Sequence, residues 1–272
     1  MGIFYEDLLE LLEEVAPTNM GFNGIAGSLN QVGQIPWEYV AGYFIIALVV
    51  AFFLGKKTGG LGSFTTLDFV YIGIGVAFAV VWQWFIGAFL GGFLPGSVGQ
   101  YIDLGYIGGQ LITMMVIAAL VRKVGVGVTS FVVYSFLSDI FHYGFGGEPM
   151  YFIYEGLTYG LILDLTIAAT GGNIFGVKSS MKASAEATAT SGSGGSSNKL
   201  LALMIVEGAI VGFFFAFPDP IIYSAFFGPF INGSKVSWET IYATLTRFII
   251  SGIPAGAIGG IIANRVSRAI GQ

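Results

Sequence analysis

Asp139 and His142 stand three residues apart in an apolar run, a spacing that lets two helical side chains address one point. Glu148, Tyr151, Glu155 and Tyr159 follow at intervals of three, four and four, a stripe of acids and phenols on one face of the next run. Trp82, Gln83, Trp84, Asp103, Gln110, Asp219, Trp238, Glu239 and Arg247 also sit in or beside apolar sequence, as do Asp68, Asp164 and Glu207. An ionisable side chain at the centre of a membrane helix costs roughly 2.5–3.5 kcal/mol, so it is expected to face a pocket, an ion path or a partner. Carboxylates such as Asp139 and Glu155 accept hydrogen bonds. His142, Gln110 and Tyr151 can donate or accept them. An indole such as Trp84 offers a stacking face, worth ~0.5–2 kcal/mol against an aromatic or cationic ring.

Each group also has a plainer use. Glu155 and Arg247 suit a buried ion pair, and Asp139 with His142 an interfacial hydrogen bond. Trp82 and Trp84 suit a lipid-facing belt, although two residues apart they cannot face the same way. Asp219, between Pro218 and Pro220, reads as a loop turn rather than a ligand.

Other chemistries fall away. Cysteine is absent and there is one histidine, so thiolate metal sites, disulfides and bis-histidine haem are excluded within this chain. The remaining donors point to no tight transition-metal site, and no cofactor is implied. Ser135, Asp139 and His142 share a helix face, but one continuous helix cannot readily supply nucleophile, base and oxyanion hole together. The nucleophile elbow, the zinc-protease motif and the phosphate-binding loop are all missing. The expectation is a protein that is not an enzyme and does not itself hydrolyse ATP.

What positions these residues is a membrane. Of 272 residues, 55% are hydrophobic and 10% charged, against about 25% charged in soluble domains. Net charge is −5, and five acids lie among the first fourteen residues, so the remainder is neutral and its overall charge gives no footprint for nucleic acid or for anionic lipid. Residues 1–15 read as an acidic amphipathic helix with Phe4, Leu8, Leu11, Leu12 and Val15 on one side, and residues 17–36 as a loop; together 1–36 form an external segment. Seven apolar runs follow, at 37–54, 67–92, 105–121, 126–144, 149–170, 200–217 and 240–263, each approaching the ~20 residues a bilayer core requires. Residues 218–233 are short and proline-rich, and read as a re-entrant or interfacial piece over a pocket. The Ser-, Ala- and Gly-rich stretch 178–198 reads as a flexible linker.

Lysine and arginine set the expected orientation. Lys56, Lys57, Arg122, Lys123, Lys178, Lys182, Lys199, Arg265 and Arg268 fall on one side of the runs, and Lys235 on the other. Basic residues stay inside, so the N-terminus is expected outside and the C-terminus in the cytoplasm of a multi-pass cell-membrane protein. Most intramembrane polar groups then belong to the outer half, where Asp103, Asp139, Glu148, Glu155 and Asp219 outnumber Arg247 and His142. A low-dielectric site with surplus carboxylate favours a cation or a donor-rich heterocycle.

Small residues recur four apart: Gly73–Ala77, Gly75–Ala79 and Gly87–Gly91 in the second run, Gly156–Gly160 in the fifth, Gly208–Gly212 in the sixth, and Gly252-Gly256-Gly260 in the seventh. Such faces let helix backbones approach closely, and internal packing accounts for most of them.

With these residues in view, 65–268 resembles the six-helix substrate-binding (S) component of energy-coupling factor transporters. The resemblance rests on LDFVYIGIGVAFAVVW (67–82), a short third core helix, GGEPMYFIYEGLTYGLILDL (146–165), and TRFIISGIPAGAIGGIIANRVSRAIG (246–271). The 146–165 pattern is similar to S components for thiamine or its hydroxymethylpyrimidine precursor. The first run (37–58) and the linker (177–199) stand outside the minimal family plan.

The resemblance implies an all-α membrane bundle that binds a micronutrient from outside. It implies docking through small residues of the first core helix (Gly73, Gly75, Ala77, Ala79) onto a membrane coupling subunit carrying two ATPases. The solute site is then expected at Trp84, Gln110, Asp139, His142, Tyr151, Glu155 and Arg247. Two other readings stand beside this one. The chain can be a structural subunit of a membrane complex, or an ion-coupled carrier using Glu155, Asp164 and Glu207.

Overall fold

The computed structural model describes residues 25–144, 149–177 and 197–271, and among these there are helices and connecting turns but no strand. The N-terminal amphipathic stretch, Glu148 and the 178–196 part of the linker lie outside the described residues. Six helical stretches are long and apolar enough to cross a bilayer: Trp37–Gly55, Thr66–Gly91, Leu104–Val121, Met150–Thr170, Asn198–Asn232 and Trp238–Ala269. A shorter apolar helix, Val126–His142, is about 26 Å long at the helical rise and packs among them. The protein is thus an all-α, multi-pass membrane bundle.

In chain order the helices are α1 (Trp37–Gly55), α2 (Thr66–Gly91), α3 (Leu104–Val121), α4 (Val126–His142), α5 (Met150–Thr170), α6 (Ser197–Phe215), α7 (Pro218–Phe227, continued by Gly228–Asn232) and α8 (Trp238–Ala269). α6 stops where it does because Pro218 and Pro220 have no amide hydrogen to donate to the preceding turn. The chain winds on as α7, helical rather than re-entrant coil. α2 starts on a capping box: the Asp68 amide donates to Thr65 Oγ1, and Asp68 Oδ2 accepts from the Thr65 amide at 2.6 Å. α3 starts on Asp103, whose Oδ1 accepts from the Tyr106 amide at 2.9 Å.

Alternating helix directions give the bundle two ends. At the basic end the turns after α1 and α3 meet. Lys123 Nζ donates to Asp68 Oδ2 at 2.6 Å and to the Ser63 carbonyl at 2.8 Å, and the Val124 amide donates to Thr58 Oγ1. At the opposite, polar end, residues 25–36 lie over α7. The Ala26 and Ile35 amides donate to the carbonyls of Ile231 and Ala225, and Gln34 Nε2 to that of Phe226.

α3 is the most enclosed helix, with Leu111, Met114, Met115 and Ala119 wholly buried. α1, α2, α6 and α8 present Ile46, Phe53, Ile74, Phe78, Val206 and Ile258 outward, as expected of helices whose outer solvent is lipid. Glycines set the spacing inside. A Cβ on Gly212 would stand 2.0 Å from the Gly252 carbonyl oxygen, and one on Gly256 2.2 Å from that of Gly208, so α6 and α8 touch backbone to backbone. α4 and α5 cross in the same way, with a Gly127 Cβ placed 2.1 Å from the Gly160 oxygen. α1 packs against the far half of α5 through Val40, Ala47 and Ala51, and its Gly55 abuts Val124.

Helical winding is not uniform. Trp82–Gly87, Ile107–Thr113, Asp139–Tyr143, Gly156–Gly160 and Pro218–Phe227 are wide, π-type stretches, and all belong to the halves of their helices nearer the polar end. Wide turns re-aim side chains and recur at functional sites.

Candidate functional site

At the polar end, α2, α3, α4, α5 and α7 converge on a layer of polar and aromatic side chains. Gly109 permits this on α3, since its Cβ would stand 2.9 Å from the Gln83 side chain of α2. Next to Gly109, buried Gln110 donates from Nε2 to Tyr134 Oη of α4 at 3.3 Å. Tyr134 and Phe131 lie edge to face, and Phe131 stacks on Tyr159 of α5 with ring centroids 5.3 Å apart. Tyr154, one helical turn before Tyr159, donates its hydroxyl to Asp219 Oδ1 of α7. Tyr106 of α3 closes the circuit by donating to the Phe215 carbonyl at 2.7 Å, near the end of α6.

Two acceptor atoms in this layer are buried and meet no hydrogen-bond partner among the described residues: Gln83 Oε1 and Gln110 Oε1. A buried polar group left unpaired costs about 1–3 kcal/mol, and native proteins keep few of them. Finding two on helices that share contacts, in an otherwise apolar bundle, marks a place where a water or other donor gains by binding.

The residues expected from sequence divide as follows. Trp84 is half-buried on α2, donates from Nε1 to Ser138 Oγ at 3.2 Å, and stacks on His142 with centroids 3.9 Å apart and planes 12° from parallel. Asp139 is buried on α4, whereas His142 is exposed at the rim, so the pair spans the site's wall rather than addressing one point. The wide turn at Asp139–Tyr143, closed by the Gly144 amide donating to the Asp139 carbonyl, changes the angular step between them. Glu155 is half-buried on α5. Tyr151, also half-buried, exchanges a 3.2 Å hydrogen bond with Tyr223 of α7. Arg247 is exposed on α8, forms no ion pair among the described residues, and so is not Glu155's partner in a buried bridge.

Two expectations are corrected. Asp219 is not a solvent turn. The flanking prolines end α6, and the aspartate turns inward to accept from Tyr154. The four small residues of α2 do not form one docking face. Gly75 lies against Ile117 of α3 and Ala79 is wholly buried, while Gly73 and Ala77 are exposed. Gly73 and Ala77 stand four apart, and Gly75 and Ala79 the same, but the two pairs are about 200° apart around the axis at 100° per residue.

Sequence reasoning missed Tyr106, Tyr134, Ser138 and Tyr154 as members of the layer. Tyr and Ser in apolar runs read equally as core, and only the helix crossings show which way they turn.

The other intramembrane acids are structural. Asp164 is buried, with Oδ1 accepting from the Gly125 and Gly127 amides at 2.8 and 2.9 Å and Oδ2 from the Val128 amide at 3.1 Å. It thereby caps the start of α4 from α5. Glu207 accepts from the Phe175 amide in the 171–177 turn, where Phe175 has a positive φ, and Asn264 Nδ2 holds the Phe175 carbonyl at 2.8 Å. Asp68 is used by its capping box and by Lys123.

No protein-family model, no curated protein and no solved structure matches this chain. Among the described residues no group of three or more His, Asp or Glu side chains is placed to hold a metal ion.

Proposed function

We propose that this chain is the membrane-embedded, solute-binding subunit of an uptake system of the energy-coupling factor type. Its solute is a small, cationic or donor-rich heterocycle of the thiamine or hydroxymethylpyrimidine kind. The observation that carries the reading is a pair of buried acceptors with no donor among the described residues, Gln83 Oε1 and Gln110 Oε1, the second on a side chain that reaches Tyr134. An amide carbonyl without a donor asks for a ligand N–H or O–H. The carboxylates of Asp139, Glu155 and Asp219 lie on the converging helices, and Arg247 is exposed on α8. Such a layer favours positive charge and hydrogen-bond donors over anions. The aromatic walls supplied by Trp84, Phe131 and Tyr159 suit a flat ring.

In this reading the polar end faces outward and the basic end the cytoplasm, in keeping with the distribution of lysine and arginine. Residues 25–36 and α7 roof the site, and the Trp84–His142 stack stands at its rim. Gly73 and Ala77, on the open face of α2, would meet the membrane coupling subunit, and two ATPases would supply the energy. The structural use of Asp164 and Glu207 speaks against the ion-coupled carrier, which needs those acids free to exchange a proton or Na⁺.

The test is thermal melting and calorimetry of the purified full chain with thiamine, hydroxymethylpyrimidine and a panel of other vitamins. A saturable stabilisation by one of them is expected. Gln110→Leu should weaken it by about tenfold, the worth of one hydrogen bond to a ligand together with an acceptor left unpaired. No stabilisation by any member of the panel would remove the vitamin reading.

A further inference from the structure

A crevice of about 570 Å³ opens sideways between α1 and the α4–α5 pair at the basic end. Its walls are apolar side chains of three helices: Leu48, Ala51 and Phe52 of α1, Val128 of α4 and Leu161 of α5. Lys56 stands at its mouth, exposed, with Nζ 5.4 Å from the centroid of the Phe52 ring and 4.9 Å from that of Phe53. The ammonium is thus held over a wall of the crevice by cation–π attraction, while its stem lies along apolar surface.

We infer that this crevice is a binding site for an anionic phospholipid of the surrounding bilayer. One acyl chain lies along the α1, α4 and α5 walls and the headgroup phosphate meets Lys56. Three features select this occupant. The crevice lies on the flank of membrane-crossing helices, so the molecules that reach it are lipids. Its volume is that of a small-molecule cleft, far beyond a packing defect.

Its mouth is also positive. Lys56 has no acidic partner among the described residues. The two acids nearby are already used. Asp68 is paired with Lys123, and Asp164, which closes the inner wall, spends both carboxylate oxygens on three amides. A lysine free of acidic partners beside an interhelical pocket is a recurring way to hold anionic lipid. The site is at the opposite end from the solute layer and does not rest on that reading.

Native mass spectrometry of the full chain in detergent, titrated with phosphatidylglycerol or with phosphatidylcholine of the same chains, tests the inference. One tightly held phosphatidylglycerol per chain is expected, in preference to phosphatidylcholine. Lys56→Gln should weaken it about fivefold, the worth of one lysine near a charged headgroup. Lys199→Gln, which removes an exposed charge elsewhere at the same end, should leave it unchanged. Equal loss in both variants would reduce the effect to diffuse electrostatics, and equal retention of the two lipids would remove the phosphate from the site. Displacement of the lipid by glycerol phosphate as readily as by more lipid would show a phosphate site without a chain. Any of these three results overturns the proposal.

Discussion

Replacing Gly212 by alanine adds one methyl group, and the bundle determines its sign. The new Cβ would stand 2.0 Å from the Gly252 carbonyl oxygen, 2.8 Å from its carbon and 3.0 Å from Gly256 Cα, whereas ordinary contact begins at 3.4 Å. All three neighbours are backbone of α8, so no side chain can swing aside. α6 and α8 must separate by more than an ångström, and the crossing loses its dispersion contacts along Gly208, Gly256 and Gly260.

Overpacking of this kind costs about 1–3 kcal/mol, and a clash against backbone belongs at the upper end. The gain in helix propensity from glycine to alanine offsets about 1 kcal/mol. A net loss of roughly 2 kcal/mol is expected, which at about 2–4 °C per kcal/mol lowers the melting midpoint by about 4–8 °C. Gly73→Ala is the matched comparison, because nothing stands within 4 Å of its Cβ position and only the propensity gain remains. It should melt at or slightly above the parent. Midpoints from intrinsic fluorescence in one detergent decide the matter. If both variants melt together, the close crossing of α6 and α8 is wrong.

Other substitutions read other parts of the bundle. Asp164→Leu strands three amides at the start of α4 and should cost about 3 kcal/mol or more, while Asp164→Asn keeps one strong acceptor and should retain roughly half of that; both are measurable as loss of monodisperse protein on heating. Tyr154→Phe removes the donor to Asp219 and should cost about 1–2 kcal/mol, with restoration of the midpoint in Tyr154→Phe/Asp219→Asn if the lost bond to a charged group is the cause. Lys123→Ala should cost under about 1 kcal/mol, and the difference should shrink in high salt, because the Lys123–Asp68 pair is partly exposed and Asp68 keeps its capping bonds.

The membrane-crossing segments were legible in the amino-acid sequence because hydrocarbon leaves a spanning backbone no choice but to bond internally. Apolar runs at 37–54, 67–92 and 105–121 therefore became Trp37–Gly55, Thr66–Gly91 and Leu104–Val121 with shifts of one residue. The run at 240–263 fell short, because α8 continues through polar Asn264, Arg265 and Arg268 beyond the apolar zone, where hydropathy carries no signal. Glycine spacing was equally readable: Gly208 and Gly212 meet Gly252, Gly256 and Gly260, since close backbone approach needs small residues in register on both partners.

The polar layer was legible only in part. Asp139, Gln110 and Trp84 stood out by being polar or amphipathic in greasy sequence, and all three turn toward other helices. Three other matters required the fold. Asp164 looked like an ion site until α4 was placed with its unbonded amides against it. Asp219 looked like a turn until Tyr154 was brought to it from sixty-five residues away. Arg247 looked like a counter-charge until α8 rolled it outward.

Composition and local spacing thus determined that this chain crosses a membrane, where it does so, and which residues are costly to keep there. The tertiary structure alone decided which of those costs are met within the protein and which are not. A carboxylate or amide is satisfied by a partner in space, and helix rotation, which sets that partner, is written in no single segment.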